Sequence, residues 1–241
     1  DIGTVTITQS GGTTFSSTVN AATIAITDSA DAASITFSGN VTAGTSLTVA
    51  AGTGAYNVIF NGSSNSIAGT TTFSNTGTVT LAGTTAFTGG VTATAPSSRT
   101  INGTVTAAGT GVINFGTVSI TGDSTIGGTS TGQITLGAAT LSDGVTLTVG
   151  AGAGTPISLS TVTGTASGTA SNLTINTTGT VTVSGAVGTD IGTVTITQSG
   201  GTTFSSTVNA ATVTLTNTTG TITFSGALIQ LFPVVHLEIL F

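Results

Sequence analysis

The chain has 241 residues, enough for one large domain or two ordinary ones, yet only 3% of them are charged, against about a quarter in ordinary soluble domains. With no Lys, a single Arg (Arg99) and a net charge of −6, it has no basic patch to grip a nucleic-acid backbone or an anionic membrane surface. No apolar run approaches the roughly eighteen residues of a membrane-inserted helix, and Val, Ile, Leu and Phe at about a quarter of positions argue against disorder. Cys, Met and Trp are absent; an extracellular place permits disulfides without requiring them. The first residue is Asp1, so a mature or excised part of a longer protein is expected, with any secretion signal upstream.

Strands are predicted from the first residues onward. Thr4 to Thr8 reads TVTIT, with Val5 and Ile7 on one face and threonines on the other. The same period of two recurs at 24–26, 35–37, 47–49, 145–149, 173–175 and 181–183, the pattern of half-buried strands. Between these runs stand turn signals such as Ser10, Gly11 and Gly12, then Asn61 and Gly62, then Gly89 and Gly90, then Gly127 and Gly128. No segment reads as a helix, because long straight-chain helix formers are nearly missing and Gly would interrupt them.

A short phrase returns along the chain: TTFSSTVNAAT, ITFSGNVTAGT, TAFTGGVTAT, ITFSGAL. Phe15, Phe37 and Phe60 recur at an interval of a little over twenty, and Phe204 and Phe224 at a similar one. Around Phe73, Phe87, Ile101 and Phe115 the marks fall closer together, which fits either shorter coils or two marks per coil. A period near 20 with several short strands predicts an all-β fold, a parallel β-solenoid of stacked coils of roughly 20 residues, about ten to twelve coils in all. Val5, Ile7, Phe15, Val19, Ile24, Ile26, Ile35 and Phe37 are expected to point inward. Tandem β-sandwich domains of about 90 residues are the alternative. Low charge suits a solenoid, since like charges stacked coil over coil repel.

Residues 1–23 recur unchanged at 190–212, so the sequence begins again at Asp190. The duplication suggests a longer periodic object advancing roughly 45 Å per unit. Copies of the chain stacked end to end are therefore the expected partner. Residues 1–227 are assigned to the solenoid. From Leu228 the composition breaks into LIQLFPVVHLEILF, so 228–241 is an apolar tail that serves as a cap, a docking strand, or a purification scar, since HLEILF is similar to a rhinovirus protease recognition sequence.

TLAGTTAFTGGVTATA, from Thr80 to Ala95, resembles the autotransporter-associated β-strand repeat of bacterial surface proteins, with Phe87 standing where that motif has Tyr. FSGNVTAGTSLTV is similar to repeats of filamentous-haemagglutinin-type adhesins. The resemblance implies a secreted β-solenoid at a bacterial surface, and it brings no catalytic residues with it.

Candidate chemistry is sparse. Asp28 and Asp31 are the best acidic pair, and paired carboxylates serve glycoside hydrolysis. The duplicated segment, however, puts Asn217 opposite Asp28 and Gly220 near Asp31, so a solvated turn is the expected role. Asp123 and Asp143 sit in turn signatures, without the regular Asp and Gly spacing of a calcium repeat. His236 is the one histidine and has no metal-ligand partners at suitable spacing. Sequons at Asn61, Asn102 and Asn172 are expected by chance in so Thr- and Ser-rich a chain. No enzyme activity, catalytic residue, cofactor or metal is expected. The function expected is a structural segment of an extracellular or cell-surface filament, sheath or adhesive stalk. Two alternatives are an adhesin module for surface carbohydrate and an ice-binding solenoid, the latter because TxT stretches such as 4–8, 212–216 and 221–223 resemble those of insect antifreeze proteins.

Overall fold

Alternating Thr with Val or Ile puts β-branched apolar side chains on one side of an extended chain and hydroxyls on the other. One such turn of chain cannot bury its apolar side alone, but stacked turns can. The structure is a computed structural model and describes residues 2–230. They wind into about eleven stacked coils of about 21 residues, with no helix. Every strand pairing among them is parallel, from Ile2–Ile7 on Val19–Ile26 to Val208–Asn209 on Leu228–Ile229. The fold is the expected parallel β-solenoid, and antiparallel sandwiches are excluded.

Three ladders run along the stack, and each turn visits them in order. The first ladder holds Thr13–Phe15, Ser34–Phe37, Asn57–Phe60, then 79–81, 99–101, Val118–Ile120, Ala139–Leu141, Val162–Gly164, Val187–Gly188, Val208–Asn209 and Leu228–Ile229. The second holds 19–21, 41–43, Ser64–Ile67, 84–87, 104–107, Ser124–Gly128, Thr146–Val149, Ser171–Asn176, Ile191–Ser199 and Thr212–Thr218. The third holds 4–7, 23–26, 46–49, 71–73, Gly90–Ala93, Val112–Phe115, Ile134–Leu136, Ile157–Leu159, Val181–Val183, Thr202–Phe204 and Ile222–Phe224. Thr78–Phe87 and Ser98–Ala107 pass from first to second ladder as single bent strands. They bend at Gly83 and Gly103, whose φ angles are +65° and +136°. A Cβ on Gly103 would fall 2.2 Å from the carbonyl oxygen of Gly83, so two coils can stack this closely at the corner only without side chains.

Ile7, Val19, Ile24, Ile26, Ile35 and Phe37 are buried as expected, while Val5 and Phe15 are half-buried against the core. The last two belong to the first described coil, which is covered on one side only. Phe15, Phe37 and Phe60 stack face to face on the first ladder at 5.0 and 4.9 Å. The closer marks that follow reflect neither shorter coils nor two marks per coil. Phe73 lies on the third ladder, Phe87 on the second, Ile101 on the first and Phe115 on the third again. Each step of this series is therefore two thirds of a turn, and the coil length stays the same. Where the mark changes ladder the rings meet edge to face, Phe60 with Phe73 at 6.4 Å and Phe73 with Phe87 at 6.1 Å.

Asn65 and Arg99 are polar yet buried, and both find partners. Asn65, 1% exposed, accepts from the Val41 N–H at 3.0 Å and donates to the Gly62 carbonyl at 3.0 Å and the Thr85 hydroxyl at 3.2 Å. Arg99 takes a first-ladder position whose rungs on either side are Val79 and Val118. It is 5% exposed and donates to the carbonyls of Ala93 at 2.6 Å, Thr94 at 2.5 Å and Thr117 at 3.2 Å. Burial lowers its pKa, but a guanidinium remains charged in proteins. Because Arg99 is the only Lys or Arg in the chain and is buried, trypsin is expected to leave the folded protein at full length over hours on a denaturing gel. Rapid cutting at Arg99 would show that this coil opens.

Leu228–Ile229 continues the first ladder by pairing with Val208–Asn209. Residues 231–241 of the tail expected as a cap, docking strand or scar, including His236, lie outside the described residues.

Candidate functional site

Asp28 and Asp31 lie in the loop between the third and first ladders. The Asp28 carboxylate turns toward the equivalent loop one coil on. Its Oδ1 accepts the N–H groups of Ser29 at 2.8 Å, Thr53 at 2.9 Å and Gly54 at 3.4 Å, and its Oδ2 accepts the Thr53 hydroxyl at 2.7 Å. Those bonds, led by the Thr53 hydroxyl, hold its pKa below the ordinary carboxylate value. Asp31 accepts the Ala55 N–H at 2.7 Å, and Asp123 the Thr146 N–H at 2.8 Å. All three carboxylates tie one coil to the next, a role more specific than the solvated turn expected for Asp28 and Asp31.

The tie has a pH signature. A carboxyl whose folded pKa is depressed stabilises the fold fully above its unfolded value of 3.8, and that contribution fades as pH falls through the folded value. The melting temperature of the protein is expected to drop as pH is lowered from about 4 to about 2, and Asp28→Asn is expected to flatten part of that drop. An identical pH profile for the variant would show that the bonds of Asp28 add nothing to stability.

The one tyrosine, Tyr56, is buried beside this loop and donates its hydroxyl to the Ala50 carbonyl. Burial, and then the charge of Asp28, push its pKa up to about 12. It offers no exposed ring for a sugar to stack on. Of the sequons, Asn61 and Asn102 are exposed, while Asn172 is half-buried and accepts the Thr193 N–H at 3.0 Å. No group of three or more His, Cys, Asp or Glu side chains suited to a metal ion occurs among the described residues.

The feature that the sequence concealed is on the outside. Along the second ladder Ser64, Thr84, Thr104, Thr125, Thr148, Thr174, Thr195 and Thr214 stand directly over one another, one per coil. Seven successive rungs are threonine. The third ladder carries Thr72, Thr92, Asn114, Thr135, Ser158, Thr182, Thr203 and Thr223 in the same way. The first carries Thr14, Thr36, Ile59, Thr80, Thr100, Ser119, Thr140 and Thr163. Where threonines follow one another, a hydroxyl and a methyl repeat about every 4.8 Å along the stack, and stacked Thr pairs add modestly to sheet stability. The rows are masked in the sequence because loops of unequal length, such as 150–156 and 165–170, separate their members.

No protein-family model matches the chain, and no curated protein or solved structure matches it either. The reading of its function therefore rests on the coil stack, the intercoil ties and the hydroxyl rows.

Proposed function

We propose that the chain is a structural segment of an extracellular β-solenoid, part of a filament, sheath or adhesive stalk at a cell surface, and that it is not an enzyme. The observation that carries this reading is the uninterrupted stack itself, in which Asp28, Asp31 and Asp123 tie coil to coil. Such a rod transmits load along its axis through continuous ladders of parallel backbone hydrogen bonds, and it offers proteases of basic specificity one buried target. Copies of the chain are its partners, stacked end to end. The resemblance to autotransporter-associated and filamentous-haemagglutinin-type repeats belongs to this proposal. An antibody to the folded protein, applied with gold label to intact cells of the source, is expected to decorate the outer surface or filaments projecting from it. Label confined to the cell interior would overturn the placement.

A second reading, ice binding, is favoured by the seven-threonine row of the second ladder. An uncharged row of hydroxyls and methyls in regular register suits an ordered water surface better than a flexible solute. The protein would then slow ice recrystallisation at low micromolar concentration, and Thr148→Lys, in the middle of the row, would abolish the effect. Crystals that coarsen as fast as in buffer alone would dispose of this reading. Surface carbohydrate has less support, since Tyr56 is buried and Trp is absent.

A further inference from the structure

The segment that occurs twice keeps its local geometry. Phe15 lies 5.0 Å from Phe37 with planes 5° apart, and Phe204 stands in the same relation to Phe224. Gly12 and Gly201 have φ angles of +126° and +127°. The Ser10 hydroxyl accepts from the Gly12 N–H at 3.0 Å and the Thr13 hydroxyl at 3.0 Å; the Ser199 hydroxyl accepts from Gly201 at 3.3 Å and Thr202 at 3.1 Å.

The two copies nevertheless occupy different ladders. Val5 and Ile7 pair with Ile24 and Ile26 on the third ladder, whereas Val194 and Ile196 pair with Leu173 and Ile175 on the second. Phe15 belongs to the first ladder and Phe204 to the third. From residues 4–7 to residues 194–196 the chain advances 26 ladder positions, which at three per turn is eight turns and two thirds. The same sequence thus folds the same way on more than one side of the stack, provided its neighbours keep the pairing.

We infer that the unit formed by residues 1–189 is a rotating module whose partner is a second copy of itself. The coil edge formed by 171–188 is a seat for the sequence of residues 1–23, because that sequence already sits there at 190–212, with Val183 on Phe204 and Val187 on Val208. A following unit that continues the chain takes this seat one ladder round, its opening residues being the sequence that lies there as 190–212. Each unit advances the stack by about 42 Å and turns it by one ladder, and three units restore the phase. Thr195 stands where the next unit has Thr6, and Thr214 where it has Ala25. In that unit the second-ladder row is interrupted at Ala25 and resumes through Thr48, Thr72 and Thr92 before it meets Asn114.

The inference rests on the filament reading for its relevance, but its test does not. Residues 1–189 placed once ahead of the full chain reproduce the native junction, since residue 190 repeats residue 1. Cryo-electron microscopy of this extended chain is expected to show one continuous stack with the second Phe15 on the third ladder of the first unit. Two rods with a break between them, or a second unit in phase with the first, would overturn the inference. The unextended chain gives a second measurement that needs no added unit. Rungs about 4.8 Å apart are within disulfide range, so Thr174→Cys with Thr195→Cys is expected to cross-link on oxidation and Thr182→Cys with Thr195→Cys is not. The reverse result would place the second copy on the third ladder and remove the rotation. Failure to find filaments in the source would bear on the proposed function and leave both results standing.

Discussion

Arg99→Ala is expected to lower the stability of the coils around it by about 3 kcal/mol or more, one of the two largest effects of any single substitution proposed for the chain. The guanidinium holds three backbone carbonyls, those of Ala93, Thr94 and Thr117, at a corner where Pro96 brings no N–H of its own. Removing the side chain takes a donor from the buried Ala93 carbonyl and from the part-buried carbonyls of Thr94 and Thr117, and opens a cavity between the Val79 and Val118 rungs. Arg99→Lys restores charge but not the fork that reaches three carbonyls at once, so it should recover only part of the loss. Urea unfolding followed by circular dichroism measures both variants. A loss under about 1 kcal/mol for the alanine variant would mean that water satisfies the carbonyls and that the guanidinium is dispensable.

Phe60→Ala should cost about 3 to 5 kcal/mol, as large buried side chains do when truncated. The ring is fully buried, stacked on Phe37 at 4.9 Å and edge-on to Phe73 at 6.4 Å, and it is where the aromatic series leaves the first ladder. Phe60→Leu keeps most of the volume and should cost about 1 kcal/mol. Each coil touches only its neighbours, so the damage should be local. Hydrogen exchange is expected to accelerate in Ser34–Phe37, Asn57–Phe60 and 79–81 while the coils beyond Ile120 keep their protection. Uniform acceleration along the whole chain would show that the stack unfolds as one unit.

The fold was legible in the sequence because its signals are local. Period-two alternation gave the strands, the return of ITF and TTF phrases gave the coil length, and near-absence of charge suited side chains stacked on their own kind. Ladder membership was not legible, because it depends on accumulated loop length. The wide step from Phe37 to Phe60 and the shorter step from Phe73 to Phe87 cross coils of the same length, and differ only in how many ladders they pass. Arg99 stood in the sequence only as the single basic residue, and only the stack reveals the carbonyls that its guanidinium holds. Asp28 and Asp31 looked like an acid pair or a plain turn. Their partners, Thr53 and Ala55, lie a full coil away, and no local pattern links them. The threonine rows were visible only as broken TxT stretches until parallel register set single threonines from successive coils above one another.

In the proposed function the chain forms part of filaments whose coils stack along the axis. Fibre diffraction from aligned material taken from the native source tests it most directly. Unbranched filaments with a reflection at about 4.8 Å along the fibre axis, the spacing of coil on coil, are expected. Compact particles that do not align, or that same reflection lying perpendicular to the axis, would contradict it.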